Sequence, residues 1–268
     1  MSYWEDRAAQ AQAALAEKTT KQIERQLRKY YTRAAKQVMA DFEATYDKLI
    51  NTVGVGNKPT PADLYKLDRY WQLQGQIKEQ LQLLNSRQIK ALTKAFEENF
   101  FDVYYSIGIE GLAAYSTLDT AAVKEVINQI WCADGNNWKQ NIWKNTDKLA
   151  QTLNDELITC VASGKNTSEL KHMLAERFKV SYSRADTLVE TELTHIRTQA
   201  SRQRYLDNGI QEVKVWADYD ERRCKACGDL HETIHPIGAA MPIPAHPRCR
   251  CTILPIIPKT QKFKDKKS

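Results

Sequence analysis

Apolar residues at Ile23, Leu27, Tyr31, Ala34, Val38, Phe42, Tyr46 and Leu49 recur in steps of three and four, with Lys, Arg, Gln and Glu between them. Only a period near 3.6 residues sets such a series on one face, so this segment predicts one long amphipathic helix. A stripe of that length has to be buried against other helices, which makes an all-β or doubly wound fold untenable for this part of the chain.

The punctuation of the remaining sequence extends the reading. "NTVGVGNKPTPAD" holds two glycines and two prolines and predicts a break after the first helix. A second helical stretch runs from Leu64 to the glycines at 108 and 111, with Asn85-Ser86 as a candidate bend. A short helix, a turn at Asp134-Gly135 and a longer helix to Cys160, stopped by Gly164, come next. Asn166 stands three residues before Glu169, a capping-box spacing, and opens a helix marked by Leu170, Leu174 and Phe178. "SYSRADTLVETELTHIRTQASRQRYLDNG" predicts a further helix with Asn208-Gly209 as its stop. Glu192 shares a face with Leu188 and Ile196 there, which predicts a partly buried, paired carboxylate.

Beyond Gly209 the period changes to two. Val213, Val215 and Ala217 alternate with Lys214, Trp216 and Asp218, the mark of a half-buried strand, and "CTILPII" offers a short apolar run to pair with it. Six of the eight prolines also fall after residue 235. The expected fold class is therefore α+β: long α-helices followed by a small mixed α/β C-terminal module.

Chemistry concentrates in that module. Cys132 and Cys160 stand alone, whereas Cys224, Cys227, Cys249 and Cys251 fall within 28 residues, together with His246. The N-terminus lacks the basic-then-apolar order of a signal peptide, and no apolar run approaches the roughly 18 residues of a membrane span, so a cytoplasmic, reducing setting is expected. There, clustered cysteines favour a metal over disulfides. C-x-x-C at Cys224 and Cys227 and H-x-x-C at His246 and Cys249 are two ligand pairs joined by a long excursion, which suits tetrahedral zinc. Four of the five candidates Cys224, Cys227, His246, Cys249 and Cys251 are expected to hold a structural Zn2+, with the choice between Cys249 and Cys251 open. The zinc-stabilised loop between the pairs would hold together a module too small to rely on its own core.

"LHETIHP" introduces a competing expectation, because H-E-x-x-H on a helix is a metalloprotease signature. His231, Glu232 and His235 would then serve a zinc-dependent nuclease or hydrolase. Pro236 pushes His235 out of helical conformation, Thr233 and Ile234 are β-branched, and Gly228 and Gly238 bracket the stretch. A loop, rather than a catalytic helix, is the expectation.

Taken in order, "LVETELTHI", Tyr205 to Gly209, "VKVWADYDERRCKACGDL" and "PAHPRCRCTILP" resemble the Mu F-like phage head morphogenesis family, the minor head or minor capsid proteins of tailed phages. The likeness spans roughly residues 168 to 255, and "SYWEDRAAQ" resembles the start of minor capsid proteins in phages of Gram-positive bacteria. In two places the chain departs from the family pattern. Glu190 stands where the family usually carries arginine before Thr191-Glu192, and Leu230-His231-Glu232 replaces the usual Leu-Asp-Gly.

The resemblance implies a non-enzymatic virion component. It would work inside the capsid near the portal, and in the host bacterial cytoplasm during assembly. Its partners would be the phage portal protein and capsid or scaffold proteins, with roles in procapsid assembly and DNA packaging or ejection. Larger family members add a toxin domain, for which no length remains after residue 258. The implied organisation is a helical region for portal or capsid contact over residues 1–165, a Mu F-like C-terminal domain over 166–258 and a basic flexible tail over 259–268. That tail carries five lysines against one aspartate and is the candidate contact to phage DNA.

Overall fold

The computed structural model describes residues 3–54, 57–107, 116–217 and 223–257. Helix α1 (Tyr3–Val53) contains the whole predicted stripe, and Ile23, Leu27, Val38, Phe42 and Leu49 are all buried. Gly54, at φ 88, occupies a left-handed backbone position where the helix ends. The short helix α2 (Pro61–Tyr65) follows, opened by a Thr60/Asp63 capping box with Pro61 in the first turn.

Helix α3 (Asp68–Ser106) starts after Lys66-Leu67, later than the sequence suggested. It is continuous through Asn85-Ser86, where a bend was expected. Both side chains find partners that leave the helical ladder intact: Asn85 Nδ2 donates to Thr146 Oγ1 at 2.6 Å, and Ser86 Oγ donates to the Gln82 carbonyl at 2.9 Å. Helix α4 (Thr120–Asn128) and helix α5 (Trp138–Ser163) flank the predicted turn, and Gly164 caps α5 at φ 63.

Helix α6 (Thr167–Leu206) corrects the expectation of two separate helices. The Asn166/Glu169 capping box forms as predicted, with both reciprocal bonds at 2.9 Å. The second start does not materialise because neither glycine nor proline lies between Thr167 and Leu206. Ser181 sits inside the helix with its hydroxyl 3.4 Å from the Tyr31 hydroxyl, so it works as a buried polar contact and not as a cap.

The described residues group into two compact units, each assembled from separated segments. One comprises residues 24–92 and 132–186. Its core brings Val38, Phe42, Leu73, Ile77, Leu153, Leu157, Leu170 and Leu174 together from α1, α3, α5 and α6. At its margin Tyr70 and Gln74 both donate to Asn154 Oδ1, at 2.8 and 2.7 Å.

The other unit comprises residues 1–23, 93–131 and 187–268 and contains all three strands. Strand β1 (Glu212–Trp216) lies between β2 (Ile234–Pro236) and β3 (Thr252–Pro255), antiparallel to both. Val213 pairs with His235 on one side and Pro255 on the other, and Val215 faces Ile253. The predicted alternation holds, with Val213 and Val215 buried. Tyr205 fastens α6 to this sheet by donating its hydroxyl to the Ile253 carbonyl at 3.1 Å. Among the described residues, no helix is long and apolar enough to cross a membrane. The basic tail over 259–268 lies outside the described residues.

Candidate metal centre

Two short pieces of backbone carry the five predicted ligands. Cys224 is the N-cap of helix α7 (Lys225–Leu230), and its sulfur accepts the Cys227 backbone N–H at 3.4 Å. Cap geometry thereby aims Cys224 and Cys227 to one side of the first turn. The second piece is the "HPRC" turn, closed by the Cys249 N–H donating to the His246 carbonyl at 3.1 Å. Arg248 occupies the left-handed region at φ 61, a strained conformation for a residue with a side chain.

These turns bring the ligand atoms together. His246 Nε2 lies 3.2 Å from Cys224 Sγ and 3.0 Å from Cys227 Sγ, while Cys227 Sγ lies 3.9 Å from Cys249 Sγ. Cys224, Cys227 and His246 form one group with mutually close donor atoms, and Cys227, Cys249 and Cys251 form a second. Cys227 belongs to both. A tetrahedral site with Zn–S bonds of about 2.3 Å has S···S edges of about 3.8 Å, so the Cys227–Cys249 separation suits a shared ion.

The protonation geometry is also suited to ligation. His246 Nδ1 is 2.7 Å from the Pro247 carbonyl oxygen, which can only accept. Nδ1 must therefore carry the proton, leaving the Nε2 lone pair directed at the two thiols. That carbonyl bond also raises the His246 pKa. Cys224 is lowered chiefly by the Cys227 N–H bond, and Cys249 is pulled down to about 5, chiefly by the Cys251 thiol donating to it. Burial pushes Cys227 up to about 12, and Cys251, the donor to Cys249, is raised for that reason. A soft donor set of thiolates and one neutral imidazole, with Cys227, Cys249 and Cys251 buried, His246 half-buried and Cys224 exposed, could hold a metal ion.

Sequence reading missed the support beneath the second turn. Thr187, Glu190, Thr191 and Thr194 recur at helical spacing along one face of α6. Arg248 Nε donates to Thr187 Oγ1 at 3.0 Å, its backbone N–H donates to Thr191 Oγ1 at 3.0 Å, and its guanidinium meets the Glu190 carboxylate at 2.8 Å. Thr194 Oγ1 donates to the Cys249 carbonyl at 2.5 Å. The carboxylate at position 190 thus receives a cation from the loop that carries His246 and Cys249. The T-x-x-E-T-x-x-T spacing was the available signal.

In "LHETIHP" the helix ends at Leu230, and the H-E-x-x-H residues are not helical. His231 caps α7, Glu232 lies in the left-handed region at φ 62, and Ile234–Pro236 form the edge strand β2. His231 Nδ1 accepts the Ala217 N–H at 3.2 Å beside the Trp216 ring, and His235 Nε2 sits 2.9 Å from Thr233 Oγ1. Neither histidine belongs to the candidate metal groups.

Near the sheet, Glu192 is buried and accepts the Trp131 indole N–H at 2.9 Å, as its helical face predicted. His195 stacks on Trp131 with centroids 4.3 Å apart, and its Nε2 finds no hydrogen-bond partner among the described residues. Burial lowers the His195 pKa to about 4, below its ordinary value of 6.5. The unfolded state therefore binds the extra proton between pH 6.5 and 4. The stability from burying a neutral ring is complete above pH 6.5 and is lost as pH falls through this window, by up to about 3 kcal/mol. Urea denaturation of His195→Phe, which keeps a stacking ring, should show a shallower acid-side slope than the wild type.

Residues 151–254 match the family model described as Phage Mu protein F like protein, a span that includes the second half of α5, all of α6, the sheet up to Leu254 and every candidate ligand. No curated protein and no solved structure matches the chain at a significant level. Over residues 151–254, the chain is similar to the Mu F-like phage head morphogenesis family.

Proposed function

We propose that this chain is a minor head protein with a structural role: it joins the portal and capsid or scaffold subunits during procapsid assembly and stays near the portal inside the head. The observation that carries the reading is the coincidence of the family match with the ligand cluster, since residues 151–254 contain Cys224, Cys227, His246, Cys249 and Cys251. The division of labour is a helical region over 1–165 that meets portal or capsid, a Mu F-like domain over 166–258, and a tail over 259–268 whose lysines contact packaged DNA.

In this reading a Zn2+ ion is bound by Cys224, Cys227, His246 and Cys249, with Cys251 behind Cys249 as a hydrogen-bonding neighbour. The single-turn link between His246 and Cys249 supports that choice. The ion would supply cross-linking and no chemistry on a substrate.

The test is quantitative recovery of the chain with portal protein from infected cells, for wild type and Glu232→Gln. Both should enter heads at the same low copy number, because Glu232 is a turn residue in this scheme. Absence of the chain from purified heads, or loss of a nuclease or hydrolase activity in Glu232→Gln alone, would overturn the structural role.

A further inference from the structure

The unit built from residues 24–92 and 132–186 carries a groove of about 850 Å³ between α1 and α6. Its α1 wall uses positions 28, 32, 35, 36, 39 and 43, and its α6 wall uses 171, 175, 178, 179 and 182. Both series follow one helical face. The two helices run antiparallel here, with Tyr182 beside Tyr31 at one end and Lys171 bonded to Glu43 at the other. The floor is apolar, from Ala35, Met39, Ala175, Phe178 and Tyr182. Small residues keep it shallow, and Ala40 and Ala175 are exposed.

The rim has the opposite character. Arg28, Lys36, Lys171 and Lys179 line it against the single carboxylate of Glu43. The stretches spanning the walls keep the sign: residues 28–43 hold four cations (Arg28, Lys29, Arg33, Lys36) against Asp41 and Glu43, and residues 171–182 hold three (Lys171, Arg177, Lys179) against Glu176. Each stretch carries a net charge of +2.

We propose that this groove docks an acidic amphipathic helix of a partner protein. The helix would lay apolar residues at i, i+3, i+4 and i+7 on the floor and place Glu and Asp against the flanking cations. The walls span about 16 to 22 Å, the length of a helix of roughly 11 to 15 residues. Small floor residues allow a third helix to approach within an ordinary packing distance of about 8–10 Å. The chain's own last ten residues, with five lysines against one aspartate, have the wrong sign to fill it. A nucleic acid would find the cations but gain little from the floor. The inference rests on this surface alone and does not depend on the phage reading.

The probe is a fluorescein-labelled 18-residue peptide with leucines at i, i+3, i+4 and i+7 and glutamates elsewhere, titrated with the full chain by fluorescence anisotropy. It should bind, and a scrambled peptide of the same composition should bind at least tenfold more weakly. Ala40→Glu and Ala175→Glu, both at exposed helical positions, should each weaken binding at least tenfold with unchanged circular dichroism. Equal binding of the scrambled peptide, or no effect of either variant, overturns the proposal. So does tighter binding of a 20-nucleotide DNA lost in the same variants, or a dimer in sedimentation that Ala175→Glu dissociates.

Discussion

Cys227→Ser is expected to reduce bound zinc from about one ion per chain to near zero and to unfold the C-terminal module. Cys227 is the one residue in both ligand groups, its sulfur meets both His246 Nε2 and Cys249 Sγ, and it is buried. The sheet consists of short strands of five, three and four residues, and every candidate ligand lies in the connections that join them. Structural zinc contributes on the order of 10 kcal/mol of apparent folding free energy in small modules, comparable to the whole stability of a typical domain. Residues 212–257 should therefore become sensitive to limited proteolysis, while far-UV ellipticity falls only slightly because the long helices carry most of it. Elemental analysis gives the metal readout. Cys249→Ser should behave like Cys227→Ser, whereas Cys251→Ser should retain the ion. A wild-type protein that holds well under one metal per chain, and whose melting curve is unchanged by chelator, would remove the zinc claim.

How far the sequence led differs from element to element, for physical reasons. The apolar stripe of α1 was legible because eight consecutive positions obeyed one period, and all eight are buried. The C-x-x-C and H-x-x-C pairs were legible because each ligand pair lies within a single turn, so local spacing fixes local geometry. Strand β2 escaped notice because it is only Ile234–Pro236, too short for alternation, and its proline is tolerated only because the strand lies at the sheet edge. The fusion of α6 escaped because a good cap at Asn166 suggests where a helix starts but says nothing about whether the next polar cluster restarts it. Within α6, the Ser181 hydroxyl lies 3.4 Å from that of Tyr31, a residue far away in sequence. The Arg248 clamp is likewise a long-range fact. Thr187 and Glu190 lie 61 and 58 residues from Arg248, and only the fold puts a guanidinium beside the carboxylate at position 190.

Phe42→Ala should lower stability by about 3–5 kcal/mol, the range for deleting a fully buried aromatic ring and leaving a cavity. Phe42 is 0% exposed and lies in the core shared by α1, α3, α5 and α6, with Val38 and Leu49 on the same helix. Phe42→Leu, which keeps most of the volume, should cost far less. The measurement is urea unfolding followed by circular dichroism, and a loss below about 1 kcal/mol for Phe42→Ala would mean that this core is not packed as described. The same variant separates packing from docking. Ala35 and Met39 pack against the core cluster and also line the groove, whereas Phe42 does not line it. While Phe42→Ala remains folded, it should lose stability yet keep the affinity of the acidic peptide. Ala175→Glu should do the reverse, because it changes an exposed position and leaves the buried stripe of α1 intact.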